Sequence, residues 1–381
     1  MRILHICIGN PFTETMYYKE NYFIEANLLD GHKPIILADT TKWEQNNIVE
    51  VGTCDRILEN GARLVRVNLK KIGGRRITMK LRIVEEFVDI VVSLRPDVIL
   101  FHNIYQEGIA RLGEIKKQLP NCKIYGDSSA TFVNSANTFF SKQILHGIIY
   151  RNWVKKGIRY LEKVFFVNDS AREFLLKQYV LPINILELNS LPSIIMDKDE
   201  KQKIRKEFRL KHGISESAVI VSHSGKMDKK KRTIELLKVM KELVKSHDIY
   251  FYIAGSFYDD IKEKAMELIA ASSKIKYEGF LQQEELRTLL AASDVYVQPG
   301  GASHTTQNAI SCGTPVIVAG KKDYGLFVKK NGYIIEDIEQ VAGYILELYS
   351  NRKKLLDMEE EAGRVAKEFF DYRKLASRLY D

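Results

Sequence analysis

What this chain of 381 residues lacks narrows its class before any motif is read. Its four cysteines, Cys7, Cys54, Cys122 and Cys312, are widely scattered with no paired spacing. They form neither a disulfide framework nor a thiolate zinc site, and they fit a reducing compartment. No apolar run approaches the length of a membrane span. Met1 to Ile8 is too short an apolar stretch for a secretory leader and has no cleavage region, so a soluble, cytoplasmic protein is expected. No internal repeat or low-complexity tract is evident. A convincing Asp-x-Asp motif is also absent: Asp259 and Asp260 are adjacent, follow a Gly-Ser-Phe loop and read as a helix cap. No metal site and no cofactor are therefore expected.

Hydrophobic residues make up 45% and charged residues 28%, the balance of an ordinary globular protein. The length exceeds what one hydrophobic core usually serves, so two domains are expected. A formal charge of +9 suits anionic substrates, nucleic acid or an anionic membrane face, and a lysine-rich proteome produces it as well. Basic residues cluster from Lys70-Lys71 through Arg75-Arg76 to Lys80 and Arg82, and again at Arg151, Lys155, Lys156, Arg159 and Lys163. No nucleic-acid recognition motif accompanies them, so no nucleic-acid partner is expected. The stretch from Phe139 to Val164 mixes Phe, Ile, Tyr and Trp153 with basic residues. It reads either as an amphipathic helix on an anionic membrane surface or as a core-facing helix with a solvated basic side. The second basic cluster near Arg75-Arg76 tips the balance slightly toward a peripheral membrane contact through it and the Arg151–Lys163 helix.

Short apolar runs alternate with helical patterns along most of the chain. Arg2–Ile8 reads as a buried strand, Tyr22–Leu29 as a helix ending at Gly31, and Pro34–Ala38 as the next strand, which makes one βαβ unit. Ile83–Leu94 and Gly108–Leu119 follow as helices, Asp97–Phe101, a run starting at Lys123 and Val164–Val167 as strands, and a helix capped by Ser170 comes next. Residues 189–200 break the pattern. Beyond them it restarts with strands at 218–222, 249–254, 276–279, 295–297 and 315–318 and helices at 233–246, 260–271, 283–292 and 305–311. The expected organisation is an α/β chain of two doubly wound parallel sheets, with domains over 1–190 and 200–364 and a last helix over 365–381 returning to the first. Open sheets of this kind bind ligands at the carboxyl ends of their strands, which points to a cleft between the domains.

Two segments of the second domain carry chemistry. Ser224 to Arg232 sits between strand and helix and combines Gly225 with Lys226, Lys229, Lys230 and Lys231. A glycine loop before a helix start offers N–H groups and the positive end of a dipole to phosphate, and lysines add point charges. The plainer alternative is a solvated basic loop. Pro299-Gly300-Gly301-Ala302-Ser303-His304-Thr305 likewise leads two glycines into a helix that runs through Asn308 to Gly313. Its plainer alternative is a tight turn that lets helix and strand pack closely.

Together these segments resemble the donor domain of the retaining GT-B glycosyltransferases of family 4. The Gly-Arg/Lys-x-x-x-x-Lys loop is matched by Gly225, Lys226 and Lys231, and the Gly-Phe segment by Gly279 and Phe280 with Leu286. The Ala-Asp-Val-x-Val-x-Pro strand is matched with one variation by Ala292 to Pro299, and the Ala-x-x-Cys-Gly-x-Pro-Val ending by Ala309 to Val316. The resemblance extends over nearly the whole chain. It implies transfer of a sugar, with retention, from a UDP- or GDP-type donor to a glycan or lipid-linked oligosaccharide, in bacterial surface polysaccharide assembly.

One departure stands out. The family places two glutamates, separated by seven residues, where this chain has Gly300 and Asn308. In the family the first glutamate lies near the transferred sugar and the second binds the ribose. The Asn308 amide can still bond a ribose hydroxyl, whereas Gly300 cannot replace a carboxylate. Either the N–H groups of Gly301 to Ser303 hold the sugar or catalysis is lost. Gly225, Gly279, Phe280, Gly300, Gly301, Ala302, Ser303, Thr305 and Asn308 are the expected donor-binding residues, and Lys226 and Lys231, with Asp127 and the titratable His304 of the donor loop, the expected catalytic ones. A family histidine is absent here, so Asp127 or Ser129 would have to serve in its place; Asp127 reads equally well as a helix or turn cap. Gly9, Asn10, His102 and Ser129, with the stretch from Glu14 to Glu20, fall on the acceptor side; His102 also reads as a hydrogen-bonded, half-buried histidine. Two other classes remain: a catalytically silent subunit that binds glycan or a partner enzyme, and a sugar-nucleotide epimerase of the same architecture.

Overall fold

The computed structural model of the protein describes residues 1–14, 16, 18–44 and 47–380, which fall into two compact units. The first comprises residues 1–192 and 372–381 and the second residues 193–371. The connection thus lies at Pro192–Ser193, and the chain returns to the first unit only at Tyr372.

The first unit carries β1 (Arg2–Cys7), the helix α1 (Lys19–Leu29), β2 (Lys33–Asp39), β3 (Thr41–Glu44), β4 (Asn47–Glu50), β5 (Cys54–Ile57), β6 (Arg63–Val67), β7 (Val98–Phe101), β8 (Lys123–Ser128), β9 (Lys163–Phe166) and β10 (Leu186–Leu188). Eight of these strands form one sheet in the order β10-β9-β8-β7-β1-β2-β6-β5. All pairings are parallel except that of the edge strand β5 with β6. Every residue of β7 and all of β1 after Arg2 are buried, as expected of parallel strands covered on both faces. The antiparallel pair β3–β4 and the edge strand β5 have no counterpart in the expected pattern, being half exposed and mixed in composition.

Three local expectations change. The helix expected over 83–94 covers only Phe87–Leu94, because Val84 bridges to Leu69 and Glu86 turns left-handed at φ 54°. Asn168, rather than Ser170, caps the helix after β9, its Oδ1 accepting from the Ala171 N–H. The terminal helix expected over 365–381 is broken at residues 370–371. Residues 372–377 then form a separate short helix whose Leu375, Ala376 and Leu379 side pack with Ile3, Phe23 and Val98.

The second unit carries α2 (Lys198–His212), β11 (Val219–Met227), α3 (Thr233–Ser246), β12 (Ile249–Phe257), β13 (Ile275–Tyr277), β14 (Val295–Gln298), α4 (His304–Ser311), β15 (Val316–Ala319), β16 (Gly332–Ile335) and α5 (Arg352–Phe369). Its six strands are all parallel in the order β13-β12-β11-β14-β15-β16. Counted within the unit this is the 3-2-1-4-5-6 order of a doubly wound sheet, and β6-β2-β1-β7-β8-β9 repeats it in the first unit. Helix α2, where sequence showed only a charged run, is held by an ion network at the amino end of β14. Asp294 accepts from Arg205 at 2.5 Å, Arg209 at 2.7 Å and the Ile220 N–H at 2.7 Å. Glu359 of α5 faces Arg205 and Lys201. The aspartate of the Ala-Ser-Asp-Val motif is therefore a structural anchor at the end of the strand away from the loops that follow it.

Candidate functional site

In each sheet the chain reverses direction of winding beside its first strand, and ligands of such sheets bind outside the carboxyl ends at that point. In the second unit the reversal lies between β11 and β14. The two glycine- and lysine-bearing segments singled out in sequence meet there. Lys231 Nζ donates to Ala302 O at 2.9 Å, closing one loop onto the other. A Cβ on Gly300 would stand 2.1 Å from the carbonyl oxygen of Lys230, so only glycine allows this approach. Burial lowers the pKa of the Lys231 ammonium, against the pull of Asp228 and Asp323. Lys226 is exposed.

The lysine segment differs from its expected form. Gly225 and Lys226 belong to β11 itself, which runs on to Met227, rather than to a loop. The extension survives because Gly225 (φ 138°) lies beside Gly255 (φ 126°) of β12, where a Cβ would meet Gly225 O at 2.0 Å. Gly279 joins them through its carbonyl, which accepts from the Gly255 N–H, and the next residue, Phe280, is 72% exposed. After β11 a short turn over Lys229–Lys231, capped by the Asp228 carboxylate, precedes α3.

The Pro–Gly segment is held from beneath by groups that the sequence did not single out. Gln298 Nε2 donates to Gly300 O at 2.7 Å, and the buried Tyr296 hydroxyl donates to Gln298 Oε1 at 3.1 Å. The Ser303 N–H donates to Tyr324 Oη at 2.8 Å. Of the three amides expected to face a sugar, Ser303's is thus already engaged, which leaves those of Gly301 and Ala302. Thr305 and His304 open α4. Asn308 also has a partner: its Oδ1 accepts from Ser193 Oγ at 3.1 Å. Below the site His223 bridges Val297 O and Thr233 Oγ1, and burial lowers its pKa to about 4.

In the first unit the reversal lies between β1 and β7, and its floor is a buried polar chain. Asn27 Oδ1 meets His5 Nε2 at 2.8 Å, and His5 Nδ1 meets His102 Nε2 at 3.0 Å. His102 Nδ1 lies 3.1 Å from Asp127 Oδ2, which Lys19 Nζ of α1 reaches at 2.8 Å. The Asn103 N–H donates to Asp127 Oδ1 at 3.0 Å. Burial would raise the Asp127 carboxyl, but the Lys19 ammonium and His102 outweigh it and hold it well below the usual carboxylate range. Burial, aided by His102, lowers His5 to about 3. Asp127 and His102 are only 3% and 2% exposed, so neither is an open group at a substrate's side, and His102 is fully rather than half buried. Ser129 stands apart, its carbonyl accepting from Asn134 Nδ2.

Beside this floor a cavity of about 260 Å³ opens within the first unit. Gly9 and Asn10, both expected near an acceptor, line it together with Lys80, Arg82, Tyr105, Gln106, Asn134, Ser135, His146 and Tyr150. His102 and Ser129 do not. Of the stretch 14–20, Glu14 is taken by Arg66 and Arg56 and Lys19 by Asp127, while Thr15 and Tyr17 lie outside the described residues. The basic stretch after it is core-facing on one side: Leu145, Tyr150 and Val154 join the main cluster, while Arg151, Lys155 and Lys156 are exposed. Among the described residues no helix is long and apolar enough to cross a membrane.

Comparison with known proteins agrees with this anatomy. Solved structures of glycosyltransferases superimpose along the whole chain. HepE from Anabaena, solved with UDP and glucose, has 13% identity and a TM-score of 0.66 over 99% of this chain and 98% of its own. Sucrose-phosphate synthase from Thermosynechococcus elongatus has 15% identity and a TM-score of 0.68 over 99% and 96%. WaaG, described as a glycosyltransferase involved in lipopolysaccharide biosynthesis, has 16% identity and a TM-score of 0.65 over 99% of both chains. The likeness defines the fold class: α/β, with two Rossmann-like units of the GT-B kind. Within it, residues 204–365, from inside α2 to inside α5, match the family described as Glycosyl transferases group 1. No curated protein matches the chain.

Proposed function

We propose that the protein is a metal-independent, retaining glycosyltransferase of family 4 type, which takes a sugar from a UDP- or GDP-linked donor and passes it to a glycan or lipid-linked oligosaccharide in surface polysaccharide assembly. The observation that carries this reading is the clasp of Lys231 on the Ala302 carbonyl at the β11/β14 reversal, inside the matched residues 204–365. A departing nucleoside diphosphate develops negative charge, and preorganised cations and N–H groups stabilise it. Lys226 and Lys231, with the Gly301 and Ala302 amides at the start of α4, supply them. Asn308 Nδ2 donates to the ribose, and the open ring of Phe280 takes the base. The cavity beside Gly9 and Asn10 receives the acceptor. Exposed Arg75, Arg76, Arg151, Lys155 and Lys156 rest the protein on the inner face of the cell membrane. The fold of HepE and the lipopolysaccharide role of WaaG support this reading by analogy.

The second reading, a silent glycan-binding subunit, draws on two observations. Gly300 has no room for the family's carboxylate, and Asp127 is neutralised by Lys19. A thermal-shift titration with UDP, GDP, ADP and their sugar conjugates separates the two. A nucleotide at a hundred times its Kd stabilises the fold by about 2.7 kcal/mol. A shift with one base, lost in Lys231→Ala, is the expected result; no shift with any nucleotide overturns the donor site.

A further inference from the structure

The cavity of the first unit has an unusual lining for a sugar pocket. Among the described residues its walls carry two cations, Lys80 and Arg82, and no carboxylate. Arg82 is fixed in place. It ends the helix Arg75–Leu81 in a left-handed conformation (φ 46°), uncommon for a residue with a side chain. Its Nε donates to Met79 O at 3.1 Å, and its Nη1 to Ile8 O at 3.1 Å and to Asp39 Oδ2 at 2.5 Å. Strained residues pinned by several contacts gather at binding sites. Asp39 lies behind the wall and offsets the Arg82 charge, so the surplus positive charge of the cavity belongs to Lys80. That charge is felt inside: burial first, and Lys80 second, lowers the pKa of His146 to about 4, so His146 lines the cavity as a neutral ring at pH 7.

The remaining lining suits hydroxyls. Gln106 is 4% exposed and spends its Nε2 on His102 O and Asn103 O, while its Oε1 is buried without a partner. A buried acceptor of that kind calls for a donor. Tyr150 Oη, by contrast, is spent on Lys80 O, which ties that aromatic wall to the segment bearing the lysine, and Tyr105 stacks on Tyr150 with ring centres 5.8 Å apart. Ring faces, an unmet acceptor and an unneutralised ammonium make one combination.

We propose that this cavity holds an acceptor sugar that bears an anionic substituent, a carboxylate or a phosphate ester, with Lys80 as the residue that selects for the charge. The proposal rests on the acceptor role given to the cavity above. Titration calorimetry of the full chain with glucose, glucuronate and glucose 6-phosphate tests it, on wild type and Lys80→Met, at low and at moderate salt. Lys80 is exposed, and among the described residues its side chain has no hydrogen bond or ion pair, so its loss leaves the Arg82–Asp39 pair intact. At least one charged sugar should bind fivefold or more tightly than glucose, with the preference abolished in Lys80→Met and weakened by salt. Whichever of the two binds more tightly identifies the substituent. Equal binding of all three, no binding of any, or a preference that survives in Lys80→Met overturns the proposal. The nucleotide titration is read independently of these results, so failure here is distinguishable from failure of the donor site.

Discussion

The two units share one strand order and treat its reversal point in opposite ways. In the second unit the loops after β11 and β14 are drawn together through Lys231 and glycine, and the cations there remain accessible. In the first unit the same position is filled by the protein's own charges, Lys19 against Asp127 over the His5–His102 pair, and open space is displaced toward Arg82. Topology therefore fixes where a site can form, and side-chain pairing decides whether the place is open. A buried, paired charge is expensive to break, whereas an exposed cation costs little to remove.

Asp127→Ala should show the largest effect. It leaves the 9%-exposed Lys19 ammonium without its partner, and breaking a buried pair of this kind costs about 3–5 kcal/mol. Both tryptophans, Trp43 and Trp153, lie in the first unit, so their fluorescence during urea unfolding reports it separately. A midpoint unchanged from wild type would mean that the pair is not structural.

Acid should separate the units next. His5 and His146 have folded pKa values near 3 and 4, below their ordinary value of 6.5. A group whose pKa is depressed on folding contributes stability above its unfolded pKa and loses it as pH falls. The loss therefore runs from about pH 6.5 down toward 4, before Asp127, also depressed, begins to withdraw its share below its ordinary 3.8. A tenfold change in proton affinity is worth about 1.4 kcal/mol, so His146 alone accounts for roughly 3 kcal/mol by pH 4. In the second unit His223 is the comparable buried histidine, with His212 largely exposed. The tryptophan transition should thus fall faster between pH 7 and 4.5 than the nucleotide-dependent one; parallel loss would show that the polar floor is not specially acid-sensitive.

Much of this contrast is invisible in sequence, for physical reasons. Buried parallel strands read as apolar runs, so β1, β2, β7, β11, β12, β14 and β15 are legible. Helix α2 is not, because the residues that it buries, Lys201 and Arg209, are charged and are recognisable as interior only beside Asp294 and Glu359, about 85 positions or more away along the chain. The donor loops are legible because glycine and lysine carry their chemistry locally. Their supports Tyr296, Gln298, Tyr324 and Ser193 are not, since each acts through a tertiary bond. Asp127 could be singled out as a strand-end carboxylate, but nothing near it in sequence announces that Lys19 would neutralise it.

Gly300→Ala tests whether the second unit's open site depends on backbone approach. The added methyl meets Lys230 O at 2.1 Å, so one loop must move, and overpacking of this sort costs about 1–3 kcal/mol. Movement of either loop parts Lys231 from Ala302, so the nucleotide-induced thermal shift should vanish with the added methyl. An unchanged shift would show that the clasp is dispensable.

Lys231→Ala should have the smallest effect on stability and yet a complete effect on binding. The side chain is half-buried and makes one hydrogen bond to a carbonyl, which is worth about 1 kcal/mol or less. If the site is open by design, the folded state tolerates its removal, and the cost appears only when a diphosphate is offered. Differential scanning calorimetry of the variant, with and without nucleotide, reads both quantities in one experiment. A drop of several kcal/mol without ligand would mean that Lys231, like Lys19, is a structural cation, and the contrast between the two reversal points would collapse.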